Sequence, residues 1–188
     1  MSRPSLPDRL VKLRAQLQAL PIQPPPAPWV HKATFAIGGL IGVGYAEDSD
    51  LLLVHSSQGR GVFDCLAGTK IARDYDDEND TFDEIHLIAE GIGPLEGQTI
   101  RMAGLYGGGL TKVSFDGWHL LDMTLDWPDR SVFLELPFKA IYEGVENCTK
   151  LEDDGACELR TYGFSQTGKS FVIALSCQVA IFSRGLIG

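Results

Sequence analysis

The chain has 188 residues, 44 % of them hydrophobic, and a formal net charge of −9. This length suits one domain with a real hydrophobic core, and no apolar run reaches the roughly 18 residues of a membrane span. The acidic balance argues against nucleic acid and anionic membrane as partners. Twenty-one glycines and ten prolines indicate many turns, which favours short strands.

Residues 1–20 predict one amphipathic helix, because leucines recur there at spacings of four and three and share a stripe. Two heptads are too short for an independent coiled coil, so we expect the stripe to dock on the chain's own sheet. A partner or homo-oligomer contact is the alternative. Charges interrupt the apolar positions, unlike in a secretory signal, so we expect a cytoplasmic protein. The stripe residues are Leu6, Leu10, Leu13, Leu17 and Leu20.

Residues 21–28 contain five prolines and predict a stiff extended linker. From Trp29 onward the pattern is that of β-structure, so residues 29–188 are predicted to form a single all-β domain of antiparallel meanders. The predicted strands cover residues 34–37, 41–45, 51–55, 61–65, 69–73, 85–90, 98–104, 117–125, 131–136, 158–164, 170–175 and 179–183.

Two segments of the chain correspond to each other at a constant offset of 119 residues. Gly44-Tyr45-Ala46 matches Gly163-Phe164-Ser165, and Val62-Phe63 matches Ile181-Phe182, without a gap between them. Each segment is predicted to form a strand, a tight polar turn and a second strand.

The repeated unit resembles the inner strands of a WD-repeat or β-propeller blade. The resemblance covers residues 44–74 and 160–184, and the sequence VFDCLAGTK at residues 62–70 is similar to the part of a blade that leads to its outer strand. The Gly-His and Trp-Asp dipeptides of those repeats are absent. The resemblance implies blade-like sheets, with a sandwich or an irregular barrel as alternatives, and it implies no activity.

The segment Gly163–Ser170 matches the phosphate-binding pattern G-x-x-x-x-G-K-[ST]. That motif requires a helix after the loop, whereas residues 171–176 are β-branched and aromatic. The corresponding segment Ala46–Leu51 lacks the motif. We therefore predict a β-turn here and no nucleotide site.

Residues 74–84 form the densest charge run of the chain. As an EF-hand this run would need glycine at its sixth position and glutamate at its twelfth, where Asn79 and Ile85 stand instead. The run is predicted to be a solvated loop or a contact surface for a basic protein. The candidate partner-binding residues are Asp74, Asp76, Asp77, Glu78, Asp80, Asp83 and Glu84.

The four cysteines show no C-x-x-C pair and no disulfide framework. Cys65 and Cys177 lie in apolar strand contexts and are predicted to be small core residues. Cys148 and Cys157 flank an acidic turn and would pair only in an oxidising compartment.

The large aromatic side chains allow two interpretations. They fit core anchors, the favoured reading because rings of this size dominate burial, or an exposed recognition patch. Trp127 in particular is predicted to pack back from a turn. The residues concerned are Trp29, Tyr106, Phe115, Trp118, Trp127 and Tyr142.

The sequence contains no catalytic motif, and its histidines lack the spacing of a metal site. We therefore predict no cofactor or metal, and a non-catalytic binding protein that acts through protein–protein contacts, such as an immunity or antitoxin-type inhibitor of a basic bacterial protein. One alternative is an enzyme whose site is assembled from scattered residues such as His55, His119 and Asp64. The other is a structural subunit that docks through its N-terminal helix.

Overall fold

The computed structural model describes residues 7–75 and 82–184. It confirms a mostly β protein with antiparallel sheets and one helix near the N-terminus, α1 (Asp8–Gln18). Short 3-10 turns lie at Gly93–Leu95 and Val145–Asn147. The strands are β1 (Trp29–Ala36), β2 (Leu40–Tyr45), β3 (Leu51–Ser56), β4 (Gly59–Asp64), β5 (Thr69–Asp74), β6 (Ile88–Glu90), β7 (Thr99–Arg101), β8 (Ala103–Gly104), β9 (His119–Asp126), β10 (Asp129–Glu135), β11 (Cys148–Asp153), β12 (Leu159–Phe164), β13 (Ser170–Leu175) and β14 (Gln178–Arg184).

The strands form four antiparallel sheets, and none of them closes into a barrel within the described residues. The central sheet has the order β1-β14-β13-β12, and the five-stranded sheet has the order β5-β4-β3-β2-β8. The three-stranded sheet has the order β11-β10-β9, and β6 pairs with β7. The predicted meanders are confirmed. Strand β11 was not predicted, because apolar and polar residues alternate only weakly in Cys148–Asp153 and the segment is rich in charge.

The repeated segments adopt the same strand register. In the first copy, β2–β3–β4, Tyr45 pairs with Leu52. In the second copy, β12–β13–β14, the corresponding Phe164 pairs with Phe171. Both copies also shift register at the same place, one residue after Leu40 and one residue after Leu159. The strand–turn–strand prediction is therefore confirmed for both copies, and the resemblance to WD-repeat blades stays a prediction.

The central sheet is covered on both faces, because successive side chains of a strand point to opposite sides. On β13, Phe171 faces the three-stranded sheet, and Val172 faces the five-stranded sheet. The outer face of the five-stranded sheet, with Leu53 and Val62, packs against the segment that carries β6 and β7. The hydrophobic core thus consists of successive layers between stacked sheets.

The helix α1 docks on the outer face of the three-stranded sheet, as its leucine stripe predicts. Leu13 and Leu17 are buried against Phe133 and its neighbours. Arg14 Nε also donates a hydrogen bond of 2.7 Å to the Leu125 carbonyl. Leu13 and Leu17 are therefore not exposed for the homo-oligomer contact that the stripe also allowed. Leu10 is half-buried, and Leu6 lies outside the described residues.

Among the described residues, no helix has the length and apolarity needed to cross a membrane.

One disulfide bond joins Cys157 to Cys177, so the predictions for both residues are wrong. Leu159 pairs with Leu175 across β12 and β13, and continuing that register outward places residue 157 opposite residue 177. Cys65 is fully buried, as predicted, and burial raises the pKa of its thiol to about 12.

Candidate protein-contact surface

Three of the seven candidate residues of the acidic loop, Asp74, Asp83 and Glu84, lie in the described part of the chain. Asp74 is bound within the chain, since Arg60 Nη2 lies 2.6 Å from its carboxylate. Asp83 accepts hydrogen bonds from the backbone and ring of His86, which hold the pKa of its carboxyl below the usual value. Glu84 is exposed. The remaining candidates, Asp76, Asp77, Glu78 and Asp80, lie outside the described residues.

The phosphate-loop look-alike forms a turn between β12 and β13, as predicted, and no helix follows it. The hydroxyls of Ser165, Thr167 and Ser170 donate hydrogen bonds of 2.7, 2.7 and 2.6 Å to the carboxylate of Asp50. Asp50 is only 7 % exposed. A carboxylate of the chain itself therefore occupies the position next to these hydroxyls, and it would repel a phosphate.

The residues of the enzyme alternative do not come together. His55 lies on β3 and stacks on Phe82, with ring centroids 5.2 Å apart. Asp64 caps a turn, because its Oδ1 accepts the backbone N–H groups of Leu66 and Ala67. His119 lies on β9 in a different sheet.

His119 instead forms a pair with Glu135 that sequence reasoning missed. Its Nδ1 lies 2.6 Å from Glu135 Oε2, and Glu135 Oε1 accepts the Ile141 backbone N–H at 2.6 Å. Glu135 is only 5 % exposed, whereas the His119 side chain is partly open to solvent. The carboxylate fixes the imidazole, as in the acid–base part of a catalytic triad. Register could have suggested this pair, because the two residues face each other across β9 and β10.

A nucleophile for that pair is missing from the described part of the chain. No described serine or cysteine side chain hydrogen-bonds to His119. Cys148 faces Glu135 from the neighbouring strand β11, on the side away from His119. Burial and the nearby Glu135 raise the pKa of the Cys148 thiol to about 11, so it stays protonated and unreactive at neutral pH. His119 and Glu135 therefore have the geometry of a general base, but no described side chain lies in position to be its nucleophile.

Large apolar side chains are exposed around His119. We call Val113, Phe115, Phe138 and Tyr142 the contact surface; they are 53 %, 79 %, 86 % and 57 % exposed.

Short backbone contacts bring these four residues into one region of the fold. Val113 forms an isolated β-bridge with His119. The Phe138 N–H donates a hydrogen bond of 3.2 Å to the Gly117 carbonyl. Tyr142 directly follows Ile141, whose backbone N–H donates a hydrogen bond to Glu135. The turns that carry the contact surface are therefore attached to one another.

The two phenylalanines of the contact surface each have a distinctive local environment. Phe138 has a φ of +57°, which is disfavoured for a bulky residue and is typical of functional sites. Gly117 has a φ of +88°, which favours glycine, and a Cβ there would lie 2.7 Å from the Phe138 ring. The guanidinium of Arg184 lies 5.4 Å from the Phe115 ring centroid and binds Asp116 at 2.7 Å.

Carboxylates accompany the contact surface. Glu143 and Glu146 are exposed close to Tyr142, and Lys139 is an exposed cation in the same region. Aromatic rings beside carboxylates suit arginine and lysine side chains, which bind both groups. The exposed groups near the contact surface therefore favour a cationic partner, as does the negative net charge of the whole chain.

The predictions for the aromatic residues divide between the two interpretations. Trp29 and Trp118 are core residues, with ring centroids 6.2 Å apart. Tyr106, Phe115, Trp127 and Tyr142 are exposed, so the core interpretation is wrong for them. Trp127 does not pack back from its turn but is 84 % exposed. Sequence reasoning missed Phe138; the signal available for it was an aromatic residue between Pro137 and Lys139, directly after a strand.

Comparison with family models, with curated proteins and with solved structures found no match.

Proposed function

We propose that the protein is a non-catalytic binding protein that occludes another protein through the contact surface. The observation that supports this is a set of four exposed apolar side chains, three of them aromatic, on turns attached to one another. Exposed apolar clusters mark interaction sites, and aromatic residues supply most of the binding energy in protein interfaces.

The proposed partner is a basic protein. The net charge of −9 attracts a cationic surface, and Glu143 and Glu146 accept ion pairs beside the aromatic rings. The acidic residues 74–84 would accelerate the encounter at long range. In its narrowest form, the proposal is an immunity or antitoxin-type inhibitor of a basic bacterial toxin.

The experiment that tests this proposal is an affinity capture from the native cell with matched variants. Phe115→Ser and Phe138→Ser should each remove the captured protein, because the rings anchor the contact. Trp127→Ser is the control, since Trp127 is equally exposed but lies at the far end of the β9–β10 hairpin. Capture that survives both phenylalanine changes, or that is lost with Trp127→Ser alone, contradicts the contact surface.

A second arm tests the charge of the partner. Changing Asp76, Asp77, Glu78 and Asp80 to Asn or Gln should slow association and weaken its dependence on salt, while the dissociation rate stays nearly constant. A captured protein with an acidic surface, or association that is independent of salt, contradicts a basic partner.

The His119–Glu135 pair supports an enzyme as the second candidate, because a buried carboxylate orients the imidazole. Such an enzyme would have to activate water or a group of its substrate. A panel of ester, amide and phosphate-ester substrates tests this: turnover that is lost in both His119→Gln and Glu135→Gln supports the enzyme. No turnover, or turnover that persists in both variants, contradicts it.

A further inference from the structure

A small recess opens between the edge of the central sheet and the five-stranded sheet, away from the contact surface. Its volume is about 210 Å³, below the roughly 300–1,000 Å³ of pockets for drug-sized ligands. One wall is the end of β1 with Phe35, and the other comes from β4 and β5 with Phe63, Lys70 and Arg73. A ligand that fits here has few atoms.

The recess is cationic although the protein is acidic. Lys70 and Arg73 line it, no carboxylate of the described residues does, and neither cation has an ion pair in the described ranges 7–75 and 82–184. Two neighbouring cations that have no counter-charge among the described residues repel each other. An anion bound between them would remove that repulsion.

Arg73 also carries an unused donor. Its Nη2 donates a hydrogen bond of 2.5 Å to the Gln58 carbonyl, and its guanidinium carbon lies 4.7 Å from the Tyr75 ring centroid. Its Nε–H is buried and has no hydrogen-bond partner among the described residues. Buried donors in folded proteins nearly always have a partner, so this N–H indicates an acceptor that binds from outside.

Besides the two cations, the recess is lined by the polar side chains of Ser56, Gln58 and Tyr75 and by one apolar wall. The rings of Phe35 and Phe63 lie with their centroids 4.8 Å apart and form its inner wall. A hydrated inorganic ion gains nothing from such a wall, whereas an organic anion buries its apolar part there.

We propose that this recess binds a small organic acid, with the carboxylate between Arg73 and Lys70 and an aromatic or branched body against Phe35 and Phe63. The carboxylate accepts the buried Nε–H of Arg73, a charge-assisted hydrogen bond. Lys70 adds a second, more exposed positive charge. This site is independent of the contact surface and of the proposed function.

The probes are benzoate, its neutral counterpart benzamide, acetate and inorganic phosphate, followed by titration calorimetry and amide chemical shifts. We expect saturable binding of benzoate, with shifts at β1 and β5, and markedly weaker binding of the other three. Arg73→Gln should weaken benzoate binding about tenfold or more, and Lys70→Gln about threefold. Lys169→Gln is the control, because Lys169 is exposed on the distant β12–β13 turn.

Each outcome decides for or against the site. If benzamide binds as tightly as benzoate, the two cations do not contribute to binding, which contradicts the proposal. If phosphate binds more tightly than benzoate, the site binds an inorganic ion and not an organic acid. Absence of saturable benzoate binding overturns the proposal. If Arg73→Gln lowers the melting temperature, Lys70→Gln and Phe35→Ala still decide, since an unchanged affinity in both contradicts the site.

Discussion

The first copy, β2–β3–β4, and the second copy, β12–β13–β14, share a backbone register but differ in their turns and ends. At the polar turn, Asp50 of the first copy reaches the hydroxyls of the second. At the opposite end, the second copy has the disulfide Cys157–Cys177, whereas the corresponding positions of the first copy are Gly38 and Gln58.

This difference separates two kinds of information in the sequence. Apolar residues recur at corresponding positions of both copies, such as Leu52 and Phe171 or Val62 and Ile181. They determine the register, because a one-residue slip would turn every core side chain outward. The residues at the turns and ends differ, and they decide how the copies contact each other. Predictions that change corresponding positions in the two copies test this separation directly.

The largest effect is expected at the paired core positions Phe171 and Leu52. Both side chains are fully buried, but Phe171 also stacks on Phe182 at 4.5 Å and contacts Trp29. Phe171→Ala should therefore lower the free energy of unfolding by about 4 kcal/mol, and Leu52→Ala by about 3 kcal/mol. Urea unfolding measures both. A larger loss for Leu52→Ala would show that the first copy, not the second, is the better packed.

The disulfide is expected to stabilise the second copy by about 3 kcal/mol, from the loop of about 20 residues that it closes. The double change Cys157→Ser and Cys177→Ser should lower the free energy of unfolding by that amount, with Cys148→Ser as the control. Thermal unfolding with and without reductant checks this. Equal stability of the reduced and oxidised protein would contradict it.

The same bond can be transferred to the first copy. A Cβ at Gly38 would meet only the Gln58 side chain, at 3.0 Å, and the double change Gly38→Cys with Gln58→Cys removes that contact. We expect a second disulfide at these positions. Counting free thiols by mass spectrometry checks this, and four free thiols in the oxidised variant instead of two would show that the two ends are not equivalent.

A smaller effect is expected at Asp50 and at Lys169, which corresponds to it in the second copy. Asp50→Ala removes the short hydrogen bonds to the buried hydroxyls of Ser165 and Ser170, whose carbonyl and phenol acceptors lie at 3.3 Å, and should lower the free energy of unfolding by about 2 kcal/mol. Lys169→Ala changes an exposed side chain and should have an effect below about 0.5 kcal/mol. Denaturant unfolding compares them, and equal effects would contradict the role of Asp50.

The smallest effect concerns Lys112, which lies 3.2 Å from the Tyr162 ring centroid of the second copy and donates a hydrogen bond to the Tyr162 carbonyl. Burial lowers the pKa of Lys112 from 10.5 to about 8. Between these values the unfolded chain binds more protons than the folded one, so the contribution of Lys112 to stability rises with pH.

Thermal unfolding between pH 8 and 10.5 tests this expectation. The variant Lys112→Met should lose the rise with pH that this group contributes. Val43 is the residue of the first copy that corresponds to Tyr162, and Val43→Ala should keep the rise with pH, because no titrating group is removed. An identical pH dependence in wild type and Lys112→Met would contradict the burial of the amine.

Several features were predictable from residue patterns alone. The offset between Tyr45 and Phe164 gave the two hairpins, and the β-branched residues after Lys169 excluded a phosphate-binding helix. The pair His119–Glu135 and the exposed Phe138 were not predictable, because neither residue belongs to a motif. The disulfide was mispredicted, because the short distance in sequence suggested Cys148 as the partner of Cys157. The pairing of β12 with β13 instead places Cys177 opposite Cys157.

The sequence by itself determined most of the strands and their turns, the internal repeat and the apolar face of the helix. These features follow from local periodicity and turn chemistry, which act over a few residues. Only the tertiary structure decided that Phe115 is exposed while Trp118 is buried, and that Asp50 meets Ser165 across 115 residues. Such contacts depend on how sheets stack, and stacking is decided by the shapes of whole faces rather than by any short run of residues.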